Sequence, residues 1–188
     1  PDGTLIDPYG GQKDLANRLL RHVSDAFTED PLRILRLAQF QARLKGLGFR
    51  VHDLTTQLCR EMVARGDLDT LSRERVFKEL EKALSAPHPS EFFAVLASVN
   101  ALAQMFQGVE LAETKNLDGP ATDTSPPSRF SQLVLENPDL DLQGLNKQLA
   151  IPKHWLELAS MTRTGAAAFC QVTTLSADAI LAVLERGD

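Results

Sequence analysis

Apolar residues recur at helical spacing through most of the chain. From Asp30-Pro31 onward, Leu32, Leu35, Phe40 and Leu44, with Ile34 and Leu37 beside them, form a stripe repeating every three to four residues. That stripe predicts an amphipathic helix. Asp30 suits its N-cap and Pro31 its first helical position, and Lys45-Gly46-Leu47-Gly48 ends it. Asp53 is placed to cap a second helix that runs to Arg65 and stops at Gly66. Ser72 is placed to cap a third, in which Val76, Phe77, Leu80 and Leu84 keep the spacing. Pro87 and Pro89 interrupt the chain, and Ser90 opens a fourth helix with Phe92, Phe93, Val95, Leu96 and Val99. From Arg129 onward, short helices are predicted around Leu133, Leu145, Trp155 and Ile180, the last with Gly187 as its stop.

The helical pattern lapses in two places. At the start, Leu5-Ile6 reads as a short β-like stretch after an Asp2-Gly3 turn, a turn that normally joins two strands. The chain opens at Pro1 inside that turn, so the expectation is a piece of a longer protein. The Pro8, Gly10 and Gly11 that follow mark a turn with unusual backbone freedom, and residues 14–22 read as either a short helix or a strand and loop. In the middle, residues 110–128 are poor in large apolars and hold Gly119-Pro120 and Ser125-Pro126-Pro127. That composition predicts a linker or mobile loop. The fold class expected is all-α, with a short β/loop remnant at the N-terminus.

Composition narrows the functions available. No run of about 18 uncharged apolar residues is present to span a membrane. Cys59 and Cys170 lie far apart in helical contexts and read as free thiols. His22, His52, His88 and His154 are dispersed, so no group has metal-ligand spacing. The net charge of −5 taken alone argues against a nucleic-acid partner, but the charge is unevenly distributed. Residues 13–82 carry 14 Lys/Arg against 11 acids, a local +3, whereas residues 83–188 carry 6 against 12, a local −6. RNA contact is therefore expected in the first half only.

The stretch Thr28-Glu29-Asp30-Pro31-Leu32-Arg33-Ile34-Leu35-Arg36 carries the chemistry. Asp30, Arg33 and Arg36 are spaced by three, along one side of a helix start. A carboxylate and a guanidinium held side by side present acceptors and donors in a fixed plane, the kind of pair that reads a base edge. Arg36, one turn on, is placed to hold a triphosphate or to steady Arg33. The same spacing also describes a capped, solvated helix with ordinary salt bridges.

Two further stretches decide between these readings. Asp7-Pro-Tyr-Gly-Gly-Gln-Lys-Asp-Leu15 and Leu20-Arg-His-Val-Ser-Asp-Ala-Phe-Thr-Glu-Asp-Pro-Leu-Arg-Ile-Leu-Arg36 closely resemble the class II tRNA nucleotidyltransferase/poly(A) polymerase family. The likeness continues through Arg73-Glu-Arg-Val-Phe-Lys-Glu-Leu80 and Pro89-Ser-Glu-Phe-Phe93, covering about residues 3–106. The resemblance implies that Asp7, Gly10, Gly11 and Asp14 belong to a flexible loop that reshapes the pocket as specificity moves from CTP to ATP. It implies that Asp30 and Arg33 pair with the incoming base, that Glu29 orients the arginine and that Arg36 contacts the nucleotide. Arg73, Glu74 and Arg75 would brace the helices beneath that site.

The implied organisation is the end of a nucleotidyltransferase head over residues 1–24 and a helical neck over 25–109. A linker over 110–128 and a helical body over 129–188 would follow. The implied function is the nucleotide-selecting and tRNA-holding part of a CCA-adding enzyme. Such an enzyme is cytoplasmic, uses CTP, ATP and Mg2+, and takes the tRNA acceptor arm as partner. Its glycine-rich turn and metal-binding aspartates would precede Pro1, so no catalytic or metal-binding residue is expected here, and the chain alone is expected to be inactive.

There are departures from the family. Ala38-Gln39-Phe40 carries glutamine where the family commonly has a third arginine. The region from Ser128 to Trp155 has no His-Asp doublet, so no phosphohydrolase activity is expected, although residues 129–188 faintly resemble a reduced form of that domain. A bacterial poly(A) polymerase and a non-catalytic helical RNA-binding module are the alternatives. Oligomeric state is not legible.

Overall fold

The computed structural model describes residue 3, residues 5–119 and residues 123–170. The helix expected around Ile180, its Gly187 stop, the start of the Asp2-Gly3 turn and the Cys170 side chain lie outside the described residues. Nine α-helices appear among the described residues: α1 (Gly11–Ala16), α2 (Leu32–Leu44), α3 (Asp53–Ala64), α4 (Arg73–Leu84), α5 (Ser90–Ser98), α6 (Leu102–Met105), α7 (Pro126–Glu136), α8 (Leu142–Leu149) and α9 (Lys153–Cys170). Two short strands, β1 (Leu19–Leu20) and β2 (Arg50–Val51), pair in parallel with Leu19 opposite Arg50. The mainly helical class expected from the pattern is the class observed. The strand is not where it was expected, because Leu5 and Ile6 lie outside regular structure with Ile6 85% exposed. Residues 14–22, for which the pattern allowed helix or strand, divide into the end of α1, a turn and β1.

Helix α2 is the centre of the packing. Ile34, Leu35, Ala38 and Ala42 are fully buried, and α2 lies against α4 and α5. Phe40 departs from the expected stripe, being 41% exposed. The helix has two apolar sides, and the hydrophobic spacing merged them into one. Positions 34, 35, 38 and 42 face the core, while Leu37, Phe40 and Leu44 line an open cleft.

The caps follow local rules with one exchange of partners. Asp30 has extended backbone, and its Oδ1 accepts the Leu32 N–H at 3.1 Å, so it caps α2 as expected. In α3 the capping acceptor is His52 Nδ1, which takes the Leu54 N–H at 3.2 Å, and Asp53 is already the first helical residue. A histidine ring nitrogen two residues before the donor does what the carboxylate was expected to do. Gly48 and Gly66 end their helices at φ 81, a left-handed backbone that favours glycine.

Beyond α5 the core is aromatic. Phe92, Phe93 and Phe106 meet edge to face with ring centroids 5.3–5.9 Å apart. Trp155 of α9 reaches Phe77 of α4 at 5.0 Å and Phe130 of α7 at 5.7 Å. Arg129 is buried, and its NH1 donates to the Leu84 and Ala86 carbonyls, both at 2.6 Å, closing the C-terminal end of α4. Burial pushes the Cys59 thiol up to about 12, so it stays a protonated core side chain.

The stretch expected to be loose is ordered over residues 113–118. Thr114 and Leu117 are buried there, and Asp118 accepts from Ser90 N at 2.9 Å and from Ser90 Oγ at 2.6 Å. A single leucine and one carboxylate pin this apolar-poor segment to α5.

Candidate nucleotide-selecting site

The N-terminal segment and the start of α2 enclose a cleft of about 790 Å³. Its construction begins at Asp7. That carboxylate accepts the Gly11 N–H at 2.7 Å and the Gln12 N–H at 2.9 Å, so it satisfies the orphan donors at the start of α1. The same two bonds hold the Asp7 carboxyl below the usual aspartate range. Gly10, at φ 72, makes the left-handed turn that lets residue 7 reach back. Further on, the Asp14 carboxylate is paired with Arg21 at 3.0 Å. Gly11 and Asp14 line the cleft, whereas Asp7 and Gly10 stand behind it as the support of α1.

The other wall comes from α2. Arg33 and Arg36, one turn apart, line the cleft together with Leu37 and Phe40. Arg33 NH1 donates to the Ala26 carbonyl in the 3-10 turn Asp25–Glu29. Arg36 is exposed and has no ion-pair partner among the described residues. With Arg21 included, three guanidiniums face one carboxylate, so the cleft favours an anionic or acceptor-rich ligand.

Asp30 and Arg33 are not paired with each other. Asp30 Oδ2 takes Arg75 NH2 at 2.7 Å, a partner 45 residues away on the first turn of α4. The reason is local: a capping carboxylate folds over the first N–H groups of its own helix, while Arg33, inside the helix, projects toward the cleft. Glu29 is exposed and does not pair with Arg33, which Ala26 holds instead. Of the three residues expected as a brace, Arg75 ties α4 to Asp30, and Arg73 NH2 ties α4 to the Asn146 carbonyl of α8 at 3.1 Å. Glu74 is exposed, with no ion pair among the described residues.

Among the cleft residues not named as site residues from the sequence are His22, Phe27 and Phe40. The signal for Phe40 was present, since positions 37, 40 and 44 form their own helical stripe, offset from 34, 38 and 42. His22 and Phe27 carry no such signal, because their place depends on β1 pairing with β2.

Residues 48–112 match the family model described as the probable RNA and SrmB-binding site of polymerase A. The chain is 40% identical over 189 residues to the multifunctional CCA protein of Pseudomonas putida, covering 99% of this chain and 51% of that protein. It is 60% identical over 104 residues to the multifunctional CCA protein of Alkalilimnicola ehrlichii, covering 55% of this chain and 25% of that protein. A solved tRNA nucleotidyltransferase, complexed with a primer tRNA and an incoming ATP analog, has a similar fold. The TM-score is 0.71 at 22% identity, over 93% of this chain and 55% of that one. The chain thus spans about half the length of the Pseudomonas protein.

Proposed function

The chain belongs to the class II tRNA nucleotidyltransferase/poly(A) polymerase family, and from that premise we propose that it selects nucleotides and holds tRNA during CCA addition. The observation that carries this reading is the disposition of two arginines and one aspartate. Arg33 and Arg36 line a cleft whose other wall holds Gly11 and Asp14, while Asp30, at the start of the same helix and outside that lining, is held by Arg75.

The chemistry follows from lone pairs and donors. A carboxylate offers about four acceptor sites, and Leu32 and Arg75 use two of those on Asp30. The remaining two suit the exocyclic amino group that cytosine and adenine share, and Arg33 suits the acceptor ring nitrogen next to it. Guanine and uracil present a carbonyl where Asp30 needs a donor and are rejected as an unpaired acceptor. Pairing by Arg33 exchanges its Ala26 carbonyl for the base, so the arginine is already oriented when the nucleotide arrives. Glu29 is assigned to the orientation of Arg33 during that exchange, and Arg36 to the remainder of the nucleotide.

Residues 1–24 are assigned to the end of the head, residues 25–109 to the neck, and residues 129–188 to the body, with 113–118 packed against α5. The tRNA acceptor arm is assigned to the basic first half, where phosphate contacts dominate affinity. The protein's place is the cytoplasm, with its tRNA substrate. Among the described residues no three His, Cys, Asp or Glu side chains converge. These residues are assigned to nucleotide choice and RNA holding.

The test is incorporation by the intact protein into tRNA lacking its CCA end, with each NTP singly and together. Ordered addition of C, C and A that then stops is the expected result, and long A-tailing from ATP alone would replace this reading by poly(A) synthesis. In the same assay Gly11→Pro, which removes the N–H that Asp7 accepts, is expected to slow A addition more than C addition. Equal losses at both steps would remove Asp7, Gly10, Gly11 and Asp14 from the specificity switch.

A further inference from the structure

One cleft side chain has no task in that reading. His22 follows β1, its ring centroid is 6.0 Å from Phe27, and it lines the same cleft as Arg33 and Arg36. Its backbone N–H donates to Thr55 Oγ1 at 3.0 Å, and its Nδ1 lies 2.8 Å from the same oxygen. Thr55 is fully buried in the first turn of α3.

Counting protons decides which atom donates. Thr55 Oγ1 is already an acceptor toward the His22 N–H, and its own O–H is sealed from water, so it needs an acceptor inside the protein. The nearby His52 carbonyl receives the Thr55 N–H, the Thr56 N–H and the Thr56 hydroxyl. Among the described residues, His22 Nδ1 is the group within hydrogen-bonding reach of the Thr55 hydroxyl that is able to accept from it. A proton on Nδ1 would take the second lone pair of Thr55 Oγ1 and leave the buried O–H with no acceptor. The neutral ring therefore carries its proton on Nε2, the nitrogen that Thr55 leaves free.

We propose that His22 is a nucleotide-binding residue, donating through Nε2–H to a ribose or phosphate oxygen, and that Thr55 is the positioning residue holding that tautomer. The inference rests on the reading that the cleft receives a nucleotide. Asp30 and Arg33 are assigned to the base edge, so an added donor in the cleft serves the part that CTP and ATP have in common. The surrounding charge agrees: Arg33 and Arg36 line the same cleft, and the Asp14 carboxylate there is engaged by Arg21. A cleft so furnished meets an acceptor on its ligand.

Two measurements on the intact protein test this. With 15N-labelled histidine, long-range proton–nitrogen spectra of the nucleotide-free protein identify the unprotonated ring nitrogen. The expected result is Nδ1 for wild type and Thr55→Ser, and a tautomer mixture for Thr55→Val. A protonated Nδ1 in wild type, or a spectrum unmoved by Thr55→Val, overturns the positioning role.

In steady-state incorporation, His22→Ala is expected to raise KM for CTP and ATP alike by about tenfold, equivalent to about 1.4 kcal/mol, with little change in kcat. His22→Gln keeps an N–H near the place of Nε2–H and is expected to restore most of the loss. An unchanged KM in His22→Ala, or a rise for one nucleotide only, overturns the binding role. If thermal melts show His22→Ala unfolded, His22→Gln compared with Thr55→Val and Thr55→Ser decides the matter. Wild-type protein that adds no nucleotide sinks the functional reading and this inference with it, whereas active wild type with an indifferent His22 sinks this inference alone.

Discussion

Residues 5–29 and the helices after them are held in place by different forces. In the helical part, apolar and aromatic side chains disappear into one core, with Ile34, Leu80, Phe92 and Phe106 fully buried. In the N-terminal segment none of the described residues is fully buried, and Leu5, Ile6, Tyr9, Leu15 and Val23 are largely exposed. Leu20, Phe27 and the β1–β2 pairing tie its end to the core, and the rest of its shape comes from exposed polar contacts: Asp7 on the α1 amides, Asp14 on Arg21 and Ala26 on Arg33. Burial gives a structure with one steep minimum, while exposed hydrogen bonds exchange with water or a ligand at little cost. The cleft lies where the two regimes meet, with one wall from the rigid helix α2 and the other from the exchangeable segment. On the proposed reading, a site that accepts two different bases in turn gains from that division.

The largest effect that tests the contrast is on stability. Phe92→Ala opens a cavity amid three edge-to-face rings and is expected to cost about 3–5 kcal/mol in urea unfolding. Leu15→Ala, in the exposed segment, is expected to stay within about 0.5 kcal/mol of wild type. Comparable losses from the two variants would mean that the segment belongs to the core, and the contrast would fail.

Next in size is an effect on chemistry without an effect on folding. Arg33→Ala is expected to lose about 1–3 kcal/mol of discrimination against GTP and UTP, roughly ten- to hundredfold, with an unchanged melting temperature. Asp30→Ala is expected to lose discrimination similarly, with some stability, because Asp30 also caps α2. Faithful C, C, A addition by Arg33→Ala would remove the base-reading assignment.

What could be read from the chain follows the same division. Helix α2 was legible from end to end because its signals are local: Asp30 and Pro31 before it, Gly48 after it, and a burial stripe between. Four of the residues named on the strength of the family likeness, Gly11, Asp14, Arg33 and Arg36, line the cleft. The site's pairing was not legible. Asp30 and Arg75 are 45 residues apart, and nothing in their own neighbourhoods says that α4 packs so as to bring them to 2.7 Å. Phe40 was misassigned because hydrophobic spacing reports an apolar side without saying whether protein or an open cleft faces it. The ordering of residues 113–118 was hidden for the opposite reason: Leu117 and Asp118 act through long-range contacts that composition averages away.

A smaller effect separates support from selection. The Asp30–Arg75 pair is partly exposed, 33% and 48%, so screening limits its contribution to stability to under about 1 kcal/mol. Its role is orientation. Arg75→Met is expected to leave the melting temperature within a few degrees while lowering discrimination severalfold, because the Asp30 carboxylate is then free to turn about its side-chain bonds. Discrimination equal to wild type would mean that the Leu32 N–H alone holds Asp30 in register.

The smallest effect is a pH dependence confined to the N-terminal segment. The Gln12 and Gly11 amides hold the Asp7 carboxyl below its ordinary range, so the folded α1 binds its proton less readily than the unfolded segment does. The sign follows: the cap is fully present above the usual aspartate pKa and is lost as pH falls through the depressed folded value. Because Asp7 belongs to a segment with no fully buried described residue, the consequence is local opening of α1 and not global unfolding. Amide spectra across an acid titration are expected to show Gly11 and Gln12 moving together, while amides of α4 and α5 stay fixed over the same range. In Asp7→Asn that coupled movement should vanish, since the amide keeps an acceptor but has no proton to gain. If α5 amides titrated along with Gly11, the segment and the core would be one cooperative unit. The exchangeable wall of the cleft would then have to be sought in side chains alone.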